Sequence, residues 1–251
     1  MENKKNQINI GLAIIVAAVV IGGAILLRGG KTPTTPTAAP TETGAQGTAK
    51  PVSAGDFTLG KSDSKVVVIE YADYQCPFCG AVAGGSQSDA PVMQYLTKND
   101  PTWAPFVPGI VDNYVNAGKV QFVYRDYPFL GPESIKAAEA TRCANDQGKY
   151  WDYHNYLFGH QNGENKGGFA DKNLEAFAKT LGLNTDQFNT CLETGKYTQA
   201  VADSKAEGDV AGVGKTGTPE GYILKNGKIV DTINGAESFV SVKQKIDAAL
   251  Q

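Results

Sequence analysis

The residues of this chain most able to do chemistry are its four cysteines, and two of them, Cys76 and Cys79, have just two residues between them. On a helix that spacing is one turn, so the two sulfurs can join and can meet again after reduction. A C-x-x-C unit of this kind points to thiol–disulfide exchange, with Cys76 first in line as the nucleophile. Two other chemistries use the same spacing. Covalent haem attachment needs a His directly after the second Cys, where this sequence has Gly80. A structural zinc site needs two further ligands, usually a second close pair. The remaining candidates, Cys143, Cys191, His154 and His160, are scattered. We therefore expect neither a metal nor a bound cofactor.

The elements around the pair must place it at a strand-to-helix junction. Lys65-Val66-Val67-Val68-Ile69-Glu70-Tyr71 is a nearly continuous apolar, β-branched run and reads as a buried strand. Ala72-Asp73-Tyr74-Gln75 follows, and a helix is expected to begin around Pro77, a residue favoured in a first helical turn. Cys76 would then lie at the helix N-terminus, where unpaired N–H groups and the helix dipole stabilise a thiolate. The dipole alone is worth about 0.3–1 kcal/mol, so a larger effect needs added hydrogen bonds or charges. Glu70 sits on the buried strand ahead of the pair. It reads either as a proton acceptor for Cys79 or as a strand-end residue reaching solvent.

Downstream, Lys119–Asp126 alternates polar and apolar residues and reads as a second strand. From Pro132 to about Ala211 the pattern is helical, with five candidate helices over Ser134–Asp146, Lys149–Phe158, Asp171–Leu181, Thr185–Thr194 and Tyr197–Val210. Tyr222–Lys225, Asn226-Gly227 and Lys228–Asp231 form a strand–turn–strand signal. Ser238–Leu250 closes the chain as an amphipathic helix. Residues 84–108, rich in proline, are irregular, with a short helix around Val92–Lys98, and helix resumes near Ile110–Asn116. This segment either extends the face that carries the pair or forms a surface insertion. Trp151, Tyr153, His154 and Phe158 have the spacing of packed helix residues rather than of a binding face. Asp209–Thr216 echoes a phosphate-binding loop but has Asp209 where the first Gly is required.

Cys143 and Cys191 fall on two helices of the helical block. They are expected to form a structural disulfide clamping those helices, a loop closure worth a few kcal/mol, or else a second redox pair that relays electrons. A disulfide there implies an oxidising compartment outside the cytoplasm.

The N-terminus is of a different kind. Lys4 and Lys5 precede an uncharged apolar run from Ile8 to Leu27, about 30 Å long as a helix and close to the thickness of a bilayer core. The run is too long for a signal-peptide core, and no A-x-A cleavage pattern follows it. Residues 1–28 therefore read as a transmembrane anchor, with residues 8–27 in the membrane. Residues 29–55, dominated by Thr, Pro, Ala and Gly, read as a flexible linker, and 56–251 as the folded domain. A net charge of -3, with no basic block, excludes nucleic acid as a partner.

With these residues in view, the segment Val68-Ile69-Glu70-Tyr71-Ala72-Asp73-Tyr74-Gln75-Cys76-Pro77-Phe78-Cys79 resembles the active-site segment of DsbA-like thiol–disulfide oxidoreductases of the thioredoxin fold. Val123–Pro128, Ala137–Ala144, Tyr150–His154 and Gly217-Thr218-Pro219 are similar to later segments of the same family. The resemblance covers roughly residues 56–251. It implies an α/β thioredoxin fold with a helical domain inserted at about 132–211. It further implies a cis Pro219 facing the Cys76–Cys79 pair, with the Thr218 backbone offered to a substrate peptide. The implied function is disulfide formation in exported proteins bearing cysteine thiols, with a membrane redox partner that resets the pair. One departure matters: Pro77 and Phe78 stand between the cysteines where strong oxidants carry a His. The potential can therefore fall anywhere from about -270 to -120 mV. A reductase or isomerase, and a non-catalytic anchored binding domain with structural cysteines, are the alternatives.

Overall fold

The structure is a computed structural model in which residues 48–85 and 90–251 are described. The anchor expected over residues 1–28 and most of the expected linker lie outside the described residues. Among the described residues no helix is long and apolar enough to cross a membrane.

The sheet has five strands in the order β1-β3-β2-β4-β5. Its centre is β2 (Val66–Ala72), all seven residues of which are buried. β2 runs parallel to β3 (Val120–Asp126), from Val66 opposite Val120 to Ala72 opposite Asp126, and antiparallel to β4 (Glu220–Lys225). A strand paired on both edges and covered on both faces needs the unbroken apolar run that its sequence shows. β4 turns into β5 (Lys228–Asn234) through Asn226 and Gly227, both with positive φ, as a tight hairpin requires. β1 (Phe57–Leu59) pairs antiparallel with β3 at the opposite edge and was not anticipated; three residues carry too little periodicity to stand out.

The two sheet faces bury separate apolar clusters. Val66, Val68 and Ala72 point with Phe122 and Tyr124 into the larger one, which also holds Cys76, Cys79 and the helical insertion. Val67, Ile69 and Tyr71 point the other way, onto Val123, Tyr127, Ala211 and Tyr222. Side chains such as Val68, Ile69, Phe122 and Ile223 have no exposed surface. Each contributes about 1.5–3 kcal/mol by leaving water.

The alternation in β3 suggests one wet face, yet all seven of its residues are buried. The cause is Arg125. Its guanidinium donates to Asp56 at 2.7 and 3.0 Å, to Glu207 at 2.7 Å and to the Tyr71 hydroxyl at 2.9 Å. It also donates to the backbone carbonyls of Lys50 (3.1 Å) and Pro51 (3.2 Å). The chain just ahead of β1 is thereby drawn over the polar face of β3, and the packed chain starts several residues before Asp56.

The crossover from β2 to β3 contains α1 (Pro77–Val82), α2 (Ala90–Asn99) and α3 (Phe106–Ile110), the last prolonged by a π-helical turn over Val111–Val115. α2 is longer than the short helix expected there, because Val92 and Leu96 find a buried seat against Ala81 of α1. The insertion comprises α4 (Pro132–Asn145), α5 (Tyr150–Gly159), α6 (Asp171–Thr180), α7 (Thr185–Glu193) and α8 (Thr198–Ala211), within a few residues of the sequence expectation. A short α9 (Val213–Thr216) follows Gly212. The segment that echoes a phosphate loop is thus a helix end and a single turn. α10 (Phe239–Leu250), capped by the Ser238 hydroxyl, closes the domain.

Candidate active site

The reactive turn is built by Asp73. Its carbonyl accepts from the Cys76 amide at 3.0 Å, and its Oδ1 accepts from the Gln75 amide at 2.8 Å. Its Oδ2 accepts from the amides of Phe129 (2.8 Å) and Leu130 (3.0 Å), tying the turn to the segment after β3. Cys76 is the N-cap of α1, in an extended conformation with Pro77 at the first helical position. Cys79 follows one turn later. Its residue is fully buried, whereas Cys76 retains 6% exposure. Both are free thiols, near each other and not bonded.

The Thr218–Pro219 peptide is cis, and the Thr218 carbonyl accepts from the Cys76 thiol at 3.4 Å. The two thiols are electrostatically unequal. Hydrogen bonding from Cys79, with a smaller contribution from Thr218, holds Cys76 below the ordinary thiol range against the effect of burial. Burial pushes Cys79 well above that range. The arrangement separates an easily ionised outer sulfur from an inner one that keeps its proton.

Glu70 is 3% exposed, between Val68 and Ala72 in β2, and by strand alternation shares their face of the sheet with the two cysteines. Burial raises its carboxyl to about 8, with the charge of Cys76 adding to the effect. Of the two readings of this residue, the solvent-reaching strand end is excluded.

Phe78, between the cysteines, meets Tyr95 of α2 edge to face with ring centroids 6.1 Å apart. Behind the turn, the Tyr74 hydroxyl lies 3.0 Å from His154 Nδ1. Burial lowers His154 to about 3, so the ring that pairs with the tyrosine is neutral. Tyr124, Phe158 and Trp151 surround it, in keeping with the packing role expected for this helix. Cys143 on α4 and Cys191 on α7 are joined as a disulfide with Cα atoms 5.9 Å apart, remote in sequence from the Cys76–Cys79 turn.

Several residues of the site carry no local sequence signal. Gln161 donates from Nε2 to the carbonyls of Tyr74 (2.8 Å) and Cys76 (2.9 Å). Gln75 donates to the Ser134 hydroxyl at 2.7 Å and exchanges hydrogen bonds with Asn165. Asp73 alone had a readable sign, since an Asp followed two residues later by a free amide is a common turn former. An open cleft of roughly 560 Å³ lies beside Pro77, bordered by Gln75, Gln161 and the loop carrying Glu164 and Lys166. Among the described residues no group of His, Cys, Asp and Glu could hold a metal ion.

Comparison with known proteins follows the same lines. The sequence profile described as thioredoxin matches residues 53–91 and 102–246. A probable disulfide bond formation protein D of Bacillus anthracis is 24% identical over 199 residues, which is 77% of this chain and 78% of that protein. Na(+)/H(+) antiporter NhaA 1 of Salinispora arenicola is 28% identical over 170 residues, 67% of this chain but only 21% of the antiporter's length. Among solved structures, oxidised BdbD from Bacillus subtilis superposes with a TM-score of 0.63 at 23% identity, covering 80% of this chain and 96% of that one. Wolbachia pipientis alpha-DsbA1 superposes with a TM-score of 0.63 at 21% identity, covering 79% and 92%. These two structures share the fold.

Proposed function

Because the chain belongs to the thioredoxin family, in its DsbA-like group, we propose that it is a membrane-anchored thiol–disulfide oxidoreductase. In this reading it forms disulfides in exported proteins through Cys76 and Cys79. The observation that carries the proposal is the Cys76 sulfur at the N-terminus of α1, 3.4 Å from the Thr218 carbonyl beside the cis Pro219, with the Cys79 thiol behind it. An extended peptide can pair with the Thr218 backbone and bring its own sulfur to Cys76.

The cycle starts from the oxidised pair. A substrate thiolate attacks the Cys76 sulfur, the Cys76–Cys79 bond breaks, and Cys79 leaves as a thiolate that takes a proton. Glu70, raised to about 8, holds that proton at neutral pH and is the nearby donor. A second substrate thiolate then attacks the substrate sulfur of the mixed disulfide and expels Cys76 as a thiolate. Hydrogen bonding keeps that leaving group below the ordinary thiol range. The substrate thiols have released their two protons to solvent, Glu70 is reprotonated from solvent, and the pair, with Cys79 protonated and Cys76 ionised, holds the two electrons the substrate has lost. A membrane redox partner removes them again and restores the disulfide.

Three observations support the location. The apolar run Ile8–Leu27 fits a bilayer core. The Cys143–Cys191 disulfide fits an oxidising compartment. Similar segments also occur as about a fifth of Na(+)/H(+) antiporters, which are membrane proteins.

The test is oxidation of a reduced, unfolded disulfide protein by the oxidised full chain. We expect stoichiometric disulfide transfer, abolished by Cys76→Ser. No transfer by the unaltered chain would leave a binding domain as the better reading, and retained transfer in the variant would rule out Cys76 as the reacting sulfur. Equilibration against glutathione fixes the direction, and a potential near the thioredoxin end, about -270 mV, counts against an oxidase.

A further inference from the structure

We propose that Gln161 is a positioning residue that holds the Cys76 sulfur in register with the Thr218 carbonyl and the Cys79 thiol. It acts by pinning the two carbonyls that flank the reactive turn. Gln161 lies just beyond α5, in the helical insertion, and reaches across to the turn. Both hydrogens of its amide are used, one on Tyr74 O at 2.8 Å and one on Cys76 O at 2.9 Å. Cys76 O also accepts the Gly80 amide at 3.0 Å, the first hydrogen bond of α1. The carboxamide therefore grips the turn and the start of the helix at the residue that carries the nucleophile.

Gly80 supplies a second, independent observation. A methyl group there would overlap the Gln161 carboxamide, lying 2.8 Å from its carbon and 3.1 Å from Nε2. A side chain at the residue after the second cysteine would thus evict the brace. Its φ is not in the left-handed region, so the absence of a side chain answers to this contact and not to backbone strain.

The chemical consequence follows from the field at Cys76. The amide's positive end sits against the carbonyl of the residue that must bear the thiolate, and the brace holds Cys76 at the start of α1, one turn from the Cys79 thiol whose hydrogen bond favours that thiolate. The titratable groups on the elements packed round Cys76 include Cys79 on α1, Glu70 on β2, Asp73 and Tyr74 in the turn, His154 on α5, Glu220 on β4, and Glu164 and Lys166 on the loop after Gln161. Neither substitution below alters any of them.

The experiment uses the full chain in detergent, reduced, with alkylation of Cys76 by iodoacetamide followed by mass spectrometry across the pH range. Gln161→Leu removes the donors. Gly80→Ala leaves Gln161 in the sequence but displaces its end, while adding a better helix former. We expect both variants to move the profile to higher pH and to lower the rate on its acidic side about threefold or more. Melting curves should separate this from a loss of fold. A profile unchanged in either variant overturns the assignment. So does a lowered melting temperature with the wild-type profile, which would make Gln161 a brace of the fold alone. The proposal rests on Cys76 being the reacting sulfur, but alkylation needs no disulfide substrate. Failure of the oxidoreductase reading would appear as absent disulfide transfer by the wild type, and failure of this inference as coincident alkylation profiles.

Discussion

Replacing Glu70 by Gln should stabilise the protein, and by an amount that grows with pH. In the unfolded chain the carboxyl ionises around 4.5, whereas in the folded domain burial and the Cys76 charge hold it to about 8. The folded state therefore keeps a proton that the unfolded state releases. The stability attached to this group is complete below about pH 4.5 and is lost progressively as pH rises towards 8. At 1.36 kcal/mol per pH unit the loss is about 3 kcal/mol at pH 7 and about 5 kcal/mol beyond pH 8. Gln has the same shape and cannot ionise. Glu70→Gln should match the wild type near pH 4.5 and exceed it by about 3 kcal/mol at pH 7, or about 6–12 °C in Tm for a domain of this size. Urea unfolding of both reduced proteins from pH 4.5 to 8.5 measures the difference directly. A difference independent of pH would refute the assignment of a protonated Glu70. Repeating the series in Cys76→Ser should shrink the effect, since the second cause of the raised value is then gone.

Other outcomes follow from the same geometry. Cys79→Ser should accumulate a covalent adduct between Cys76 and a disulfide substrate, visible on non-reducing gels, because the buried partner that resolves the adduct is missing. Changing both Cys143 and Cys191 to Ala opens a loop with a sequence separation of 48 residues. It should lower stability by about 4 kcal/mol in urea unfolding. Arg125→Met leaves Asp56 and Glu207, at 10% and 9% side-chain exposure, without their cation. The expected loss is about 3–5 kcal/mol, together with earlier proteolytic cleavage in residues 48–56.

What could be read from the sequence was local. The β2 run, the turn into Pro77, the Asn226-Gly227 hairpin and the five insertion helices each carry a period or a turn signal within about a dozen residues. The same holds for the C-x-x-C pair, whose chemistry depends on a spacing of three. What escaped was long-range. β1 is too short to show alternation. The burial of Arg125 depends on Glu207, which is 82 residues away in sequence. Gln161 meets Cys76 across 85 residues. Glu70 lay between these cases: its strand was legible, but whether its side chain was buried stayed open until the sheet placed it on the face of the cysteines.

The covalent cross-link of the insertion joins α4 to α7 and never crosses to the sheet. Along the border with the reactive turn, the hydrogen bonds to the insertion include the two of Gln161, the pair exchanged between Gln75 and Asn165, and those of Gln75 with Ser134 and of Tyr74 with His154. Each such bond is worth about 0.5–1.5 kcal/mol net. The border is thus a row of separate polar contacts over a shared apolar core, while the sulfur cross-link ties the insertion to itself. A guest chain that presses on this border works against individual polar contacts and not against the covalent frame of the insertion.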